Sequence, residues 1–239
     1  MSKKVILIIV EGPTEETVFY EFLEQRFDQS EVRIDVQYGD VLSALSKQSI
    51  KNSIGQLIKD YLSKYKLLAS DLVAVVHFTD ADGCFISNEF IQIAPDQTTR
   101  HKYGEDAIYV ANEQRKIKIE ERNKLKSDHM RILASNKDFT IQKISVPYQL
   151  FYFSTNLDHV LWGERNAVKE EKLDKAEEFL ENLEEPIETF LWRFLTLEQG
   201  LSYEDKVKTS WDQLMDELNS LQRSTNMPLM FEMIERLDG

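Results

Sequence analysis

The chain has 239 residues, 42% of them hydrophobic and 30% charged, with a formal net charge of −13. That length suits one α/β domain with an appended piece and leaves room for a sizeable core. The acidity excludes a protein that coats nucleic acid through general positive charge; the single cysteine, Cys84, excludes an internal disulfide and a Cys-based zinc site within one chain; and no apolar run approaches the length that spans a bilayer.

Lys4 to Val10 is predicted as a buried strand, a continuous β-branched run bounded by Gly12-Pro13. Lys3 and Lys4 imitate the start of a signal peptide, but Glu11 and Glu15 follow at once, so a soluble, cytoplasmic strand is expected. Thr14 is placed to cap a helix whose first turn holds Glu15 and Glu16, with Val18, Phe19, Phe22 and Leu23 at helical spacing up to about Phe27. Val32, Ile34 and Val36 alternate as a second strand ending at Tyr38-Gly39-Asp40. Residues 41–68 are predicted helical with a break near Gly55. Leu72 to Phe78 is a third strand, apolar throughout as in a central parallel sheet, and Thr79-Asp80-Ala81-Asp82-Gly83 follows it.

Residues 84–106 lack periodicity and are expected to form a long loop. A helix is predicted from about Asn112 to Ala134, then a fourth strand from Thr140 to Val146, stopped by Pro147. From about residue 168 the pattern is helical and punctuated by Pro186 and Gly200. The expected fold is α/β: a mostly parallel sheet flanked by helices, with a helical C-terminal region. The division drawn is residues 1–163 for the α/β domain and 164–239 for the rest, where 19 Asp and Glu outnumber 9 Lys and Arg.

Ligands of open α/β sheets gather outside the C-terminal ends of the strands. Two such ends here carry acids: Glu11-Gly12-Pro13-Thr14-Glu15 and Asp80-Ala81-Asp82-Gly83. If the two strands are neighbours, Glu11, Asp80 and Asp82 converge, and a hard divalent cation relieves their repulsion. Asp80 and Asp82, two apart on an extended chain, are expected to face the same way. Gly12 permits close passage of the backbone past a phosphate, and Glu15 lies one helical turn from Glu11.

These residues resemble the TOPRIM family, whose signature is Glu-Gly after the first strand and Asp-x-Asp after the third. The run Val10 to Glu15 is most similar to small TOPRIM proteins of the OLD and RloB-like kind. Ile144 to Pro147 and then Leu150 to Trp162 resemble the RloB-like block of strand, Pro turn and aromatic-rich helix, without that block's Glu before the Trp. The resemblance covers roughly residues 3–163. It implies a TOPRIM-like sheet and Mg²⁺-dependent cleavage of DNA or RNA, with Mn²⁺ as an alternative ion. Glu11, Asp80 and Asp82 are the implied metal ligands, and Glu11 and Glu15 the candidate acid–base residues. It also implies bacterial antiphage defence beside an ABC-type ATPase partner. Homo-oligomerisation and docking through the acidic tail are both compatible with it.

Arg115, Lys118, Arg122 and Lys126 recur at three- and four-residue steps and form a candidate nucleic-acid-binding stripe. His159 and Lys143 are weaker candidates for a part in phosphate chemistry. Two other functions stay open. One is a haloacid-dehalogenase-like phosphatase, since Asp-x-Asp-Gly also opens that fold, though there on the first strand. The other is a non-catalytic TOPRIM-like module that binds a partner.

Overall fold

The computed structural model describes residues 4–26, 32–38, 42, 49–97 and 101–238. Its elements in chain order are β1 (Lys4–Val10), α1 (Pro13–Arg26), β2 (Val32–Tyr38), α2 (Ile50–Tyr65), β3 (Leu72–Asp80), β4 (Ile91–Ile93), β5 (Lys102–Tyr103), β6 (Ile108–Val110), α3 (Glu113–Ala134), β7 (Asp138–Ile141), β8 (Ile144–Phe153), α4 (Leu157–Trp162), α5 (Lys172–Asn182), α6 (Ile187–Trp192), α7 (Tyr203–Leu214) and α8 (Pro228–Asp238). The chain divides into two compact units. The first comprises residues 1–79, 129–151 and 173–181; the second comprises 80–128, 152–172 and 182–239. The boundary expected at residue 163 is therefore not the one observed, because each unit draws on both sides of it.

The first unit contains most of a five-stranded sheet of order β2-β1-β3-β8-β7. β1 runs parallel to both β2 and β3, with Ile9 opposite Gln37 and His77. The β7–β8 hairpin is antiparallel, so the α/β sheet is mixed. Val5 to Val10 are all at most 2% exposed, as a strand paired on both edges and covered on both faces requires. Phe78 stacks on Phe19 at 5.3 Å and meets Phe151 at 6.0 Å.

Local chemistry shifts several expected boundaries. α1 starts at Pro13, so Thr14 lies inside the first turn and is not the cap. Proline's fixed φ and missing N–H suit that opening position. Phe27, Gly39, Asp40 and residues 43–48 lie outside the described residues. α2 starts only at Ile50, capped by Ser49, whose hydroxyl accepts the Asn52 amide. Gly55 does not break it: it is buried in the helix on the side facing β7, where even a Cβ would make only ordinary contact with the Phe139 ring at 3.8 Å.

The single strand expected over 140–146 is a hairpin. Gln142 and Lys143 have φ of 51° and 67°, the doubly left-handed turn that matches the twist of paired strands. Pro147 does not end β8; it pairs with Asp138, and the Tyr148 amide next to it bonds the Lys137 carbonyl at 2.9 Å.

In the second unit, the loop expected over 84–106 contributes to a small sheet of order β4-β6-β5. Strands of two or three residues are too short to show alternation in sequence. Ile86, Ile91, Tyr103, Ile108, Val110, Ile119 and Leu221 form its core. The expected aromatic-rich helix over 150–162 is strand up to Phe153 and helix only as α4. The helical C-terminal region is present as α5, almost wholly in the first unit, and α6 to α8, in the second. Among the described residues, no helix is long and apolar enough to cross a membrane.

Candidate metal centre

In the first unit, the parallel pairing of β1 with β3 brings the ends of both strands together. The buried Thr79 hydroxyl donates to Glu11 Oε1 at 2.5 Å. That bond fixes the direction of a half-buried carboxylate at the mouth of the sheet. Glu15, in the first turn of α1, is 8% exposed, and its Oε2 would lie 3.5 Å from a Cβ on Gly12. The second acid of the motif thus lies back along the turn, at ordinary contact distance from that position.

In the second unit, Asp80 follows Thr79 directly in the chain. Asp80 Oδ1 accepts the amide of Leu157 at 2.9 Å, the first residue of α4. Asn156 caps that helix, accepting the His159 amide at 2.8 Å. Beyond Asp80 the strand ends. The Ala81 amide bonds Phe153 O at 2.7 Å and the Asp82 amide bonds Thr155 O at 2.8 Å. Asp82 and Gly83 are left-handed, with φ of 54° and 64°. A Cβ at Gly83 would stand 2.5 Å from the Leu221 side chain. The expectation that Asp80 and Asp82 share an extended geometry and face one way is therefore corrected: only Asp80 is on the strand.

Asp82 instead enters a network of its own. Its Oδ2 lies 2.5 Å from Lys126 Nζ, and its Oδ1 accepts from the Tyr103 hydroxyl at 2.7 Å. Arg122 Nη2 donates to the Asp82 carbonyl at 2.9 Å, and Nη1 to the Tyr103 oxygen at 3.1 Å. The Lys126 side chain is 1% exposed and that of Asp82 24%. Burial by itself raises the Asp82 pKa. The charges of Lys126 and Arg122, with hydrogen bonds from Lys126 and Tyr103, outweigh it and hold the carboxyl below the usual range. Burial first, and then the Asp82 charge, push the Tyr103 phenol up.

The basic stripe of α3 is thereby divided. Arg115 and Lys118 are exposed, whereas Lys126 is buried and Arg122 is partly buried on the Asp82 turn. A four-residue step puts Arg122 and Lys126 on one helix face, and here that face meets Asp82. Lys143 is exposed in its hairpin turn, and Cys84 is buried. His77 pairs with the Tyr148 hydroxyl at 2.8 Å inside the first unit.

His159 is buried, with Nδ1 3.1 Å from Thr155 Oγ1. Burial, and then the charges of Arg165 and Arg223, lower its pKa to about 4, so it is neutral at pH 7 and no proton donor. The unfolded chain takes this proton first, near pH 6.5. Stability is therefore full above that pH and falls as pH drops toward 4. The expected result is that His159→Gln flattens this part of the stability–pH slope, read from urea midpoints between pH 4 and 7.

The donor set fits a divalent ion unevenly. Glu11 accepts from the Thr79 hydroxyl and Asp80 from the Leu157 amide, the kind of outer support that metal-ligating acids have. Asp82 does not fit as a direct ligand, since both of its oxygens are held by Lys126 and Tyr103. Among the described residues, no three His, Cys, Asp or Glu side chains are grouped to hold a metal ion. Sequence reasoning missed Thr79, although it sits directly before the Asp-x-Asp. It also missed Tyr103, which lies in a stretch with no pattern. No family model, curated protein or solved structure matches the chain.

Proposed function

We propose that the protein is a metal-dependent phosphodiesterase of the TOPRIM type that hydrolyses DNA or RNA. The observation that supports this best is the 2.5 Å bond from Thr79 to Glu11: the residue leading into the Asp-x-Asp holds the acid of the Glu-Gly motif. Glu11 and Asp80 are the proposed ligands of Mg²⁺, with Mn²⁺ as a substitute, and the ion supplies positive charge to the scissile phosphate. Glu15, folded back along the Gly12 turn, is the proposed proton acceptor for the attacking water. Thr79 keeps Glu11 from rotating away, and the Leu157 amide does the same for Asp80. The exposed Arg115 and Lys118 are the proposed contacts to the nucleic-acid backbone.

The resemblance to defence-associated TOPRIM proteins extends the proposal to antiphage action in the cytoplasm beside an ABC-type ATPase, with the acidic C-terminal helices as the docking region. The test is a cleavage screen of the purified chain over single- and double-stranded DNA and RNA, with Mg²⁺, Mn²⁺ or EDTA. Cleavage that appears with either metal and stops with EDTA is expected. Absence of cleavage under every one of these conditions favours the non-catalytic module. Hydrolysis of a simple phosphomonoester alone favours the phosphatase.

A further inference from the structure

We propose that the second aspartate of the Asp-x-Asp pair is not a metal ligand here, and that the Lys126 ammonium stands permanently where a divalent ion would neutralise it. This rests on the proposed function for its meaning but on the second unit alone for its geometry. Three observations carry it. Asp82 lies off the strand, in a left-handed turn whose amide, carbonyl and both carboxylate oxygens are all engaged. Lys126 is 1% exposed, and a buried ammonium is tolerated only with a partner of opposite charge. Arg122, one turn earlier on α3, braces the same turn through the Asp82 carbonyl and the Tyr103 oxygen.

Two fixed cations thus face one carboxylate, and a divalent ion brought to Asp82 would meet their repulsion and have to displace the ammonium. The consequence is that Asp82 contributes no exchangeable metal position to the proposed centre, where a paired-ion arrangement would use all three acids. Lys126 is accordingly a positioning residue: it holds Asp82 and its turn, and it does not touch the substrate.

The test is Mn²⁺ binding to the full chain, followed by electron paramagnetic resonance, with thermal unfolding in parallel. Wild type is expected to bind one Mn²⁺. The doubly neutral Asp82→Asn/Lys126→Met variant, which leaves neither charge unpaired, is expected to bind one Mn²⁺ with affinity within about threefold of wild type. Loss of a true ligand or its support costs about tenfold or more. Lys126→Met alone, with its carboxylate uncovered, is expected to bind one Mn²⁺ more than the double variant and to show a larger Mn²⁺-dependent rise in melting temperature.

Two Mn²⁺ in wild type falling to one in the double variant would overturn the assignment, as would a tenfold weakening there or a Mn²⁺ effect on Lys126→Met no larger than on the double variant. If wild type binds no Mn²⁺, the function proposed above fails on its own. The Asp82 assignment is then decided by whether Lys126→Met responds to Mn²⁺ and the double variant does not.

Discussion

Glu11→Gln is expected to lower metal-dependent cleavage by about a hundredfold to ten-thousandfold, the range for losing a positioned acid–base or charge-stabilising group. The substitution keeps the shape and one carbonyl-type oxygen, so the Thr79 hydroxyl retains an acceptor and the sheet end keeps its bond. Only the charge is removed. A folded Glu11→Gln protein, with an unchanged urea midpoint, that cuts as fast as wild type would remove Glu11 from the chemistry. Thr79→Val provides the graded comparison. It leaves the Glu11 charge but removes the Thr79 bond that directs it, and a loss of about ten- to a hundredfold is expected. Single-turnover cleavage rates measure both.

Lys126→Met is expected to destabilise the second unit by about 2 kcal/mol, and Asp82→Asn by about 3 kcal/mol, below or at the lower end of what breaking a buried ion pair costs. The order follows from exposure. Asp82, 24% exposed, keeps some solvation when Lys126 is removed, whereas Lys126, 1% exposed, keeps almost none when Asp82 is removed. The double variant is expected to recover most of the loss, because the deeply buried Lys126 charge is removed together with its partner and only the half-buried Arg122 keeps a charge on that turn. Urea denaturation of the four proteins reads the cycle. Additive losses in the double variant would mean that the two side chains do not act as a pair.

The elements with long apolar patterns were legible in the sequence. β1, β3 and α3 stand close to their expected bounds, because a continuous β-branched run and a long helix carry their own signals. The neighbouring of β1 and β3, on which the convergence of acids depended, is observed as a parallel pairing. The sequence was a poorer guide where tertiary contacts decide. Gly55 stays helical, buried on the side of α2 near Phe139. Gln142-Lys143 turns a hairpin without a glycine. The strands within 91–110 are too short for a period to register.

At the site the same division holds. The acids at the two strand ends could be read from spacing, and so could the shared face of Arg122 and Lys126. What that face meets could not, since Tyr103 and the left-handed Asp82 turn come from a stretch with no local pattern. A basic residue on a helix face reads as solvated by default. Lys126 departs from that default because a carboxylate 44 residues away in sequence waits beneath it.

The most direct test of the metal centre is a crystal of the protein soaked in Mn²⁺, with data collected for the anomalous signal of manganese. The account expects manganese within about 2.5 Å of a carboxylate oxygen of Glu11 or Asp80, the span of hard-cation bonds, with Lys126 still on Asp82. A peak on the Asp82 carboxylate, or an ordered Glu11 and Asp80 with no manganese at either, would contradict it.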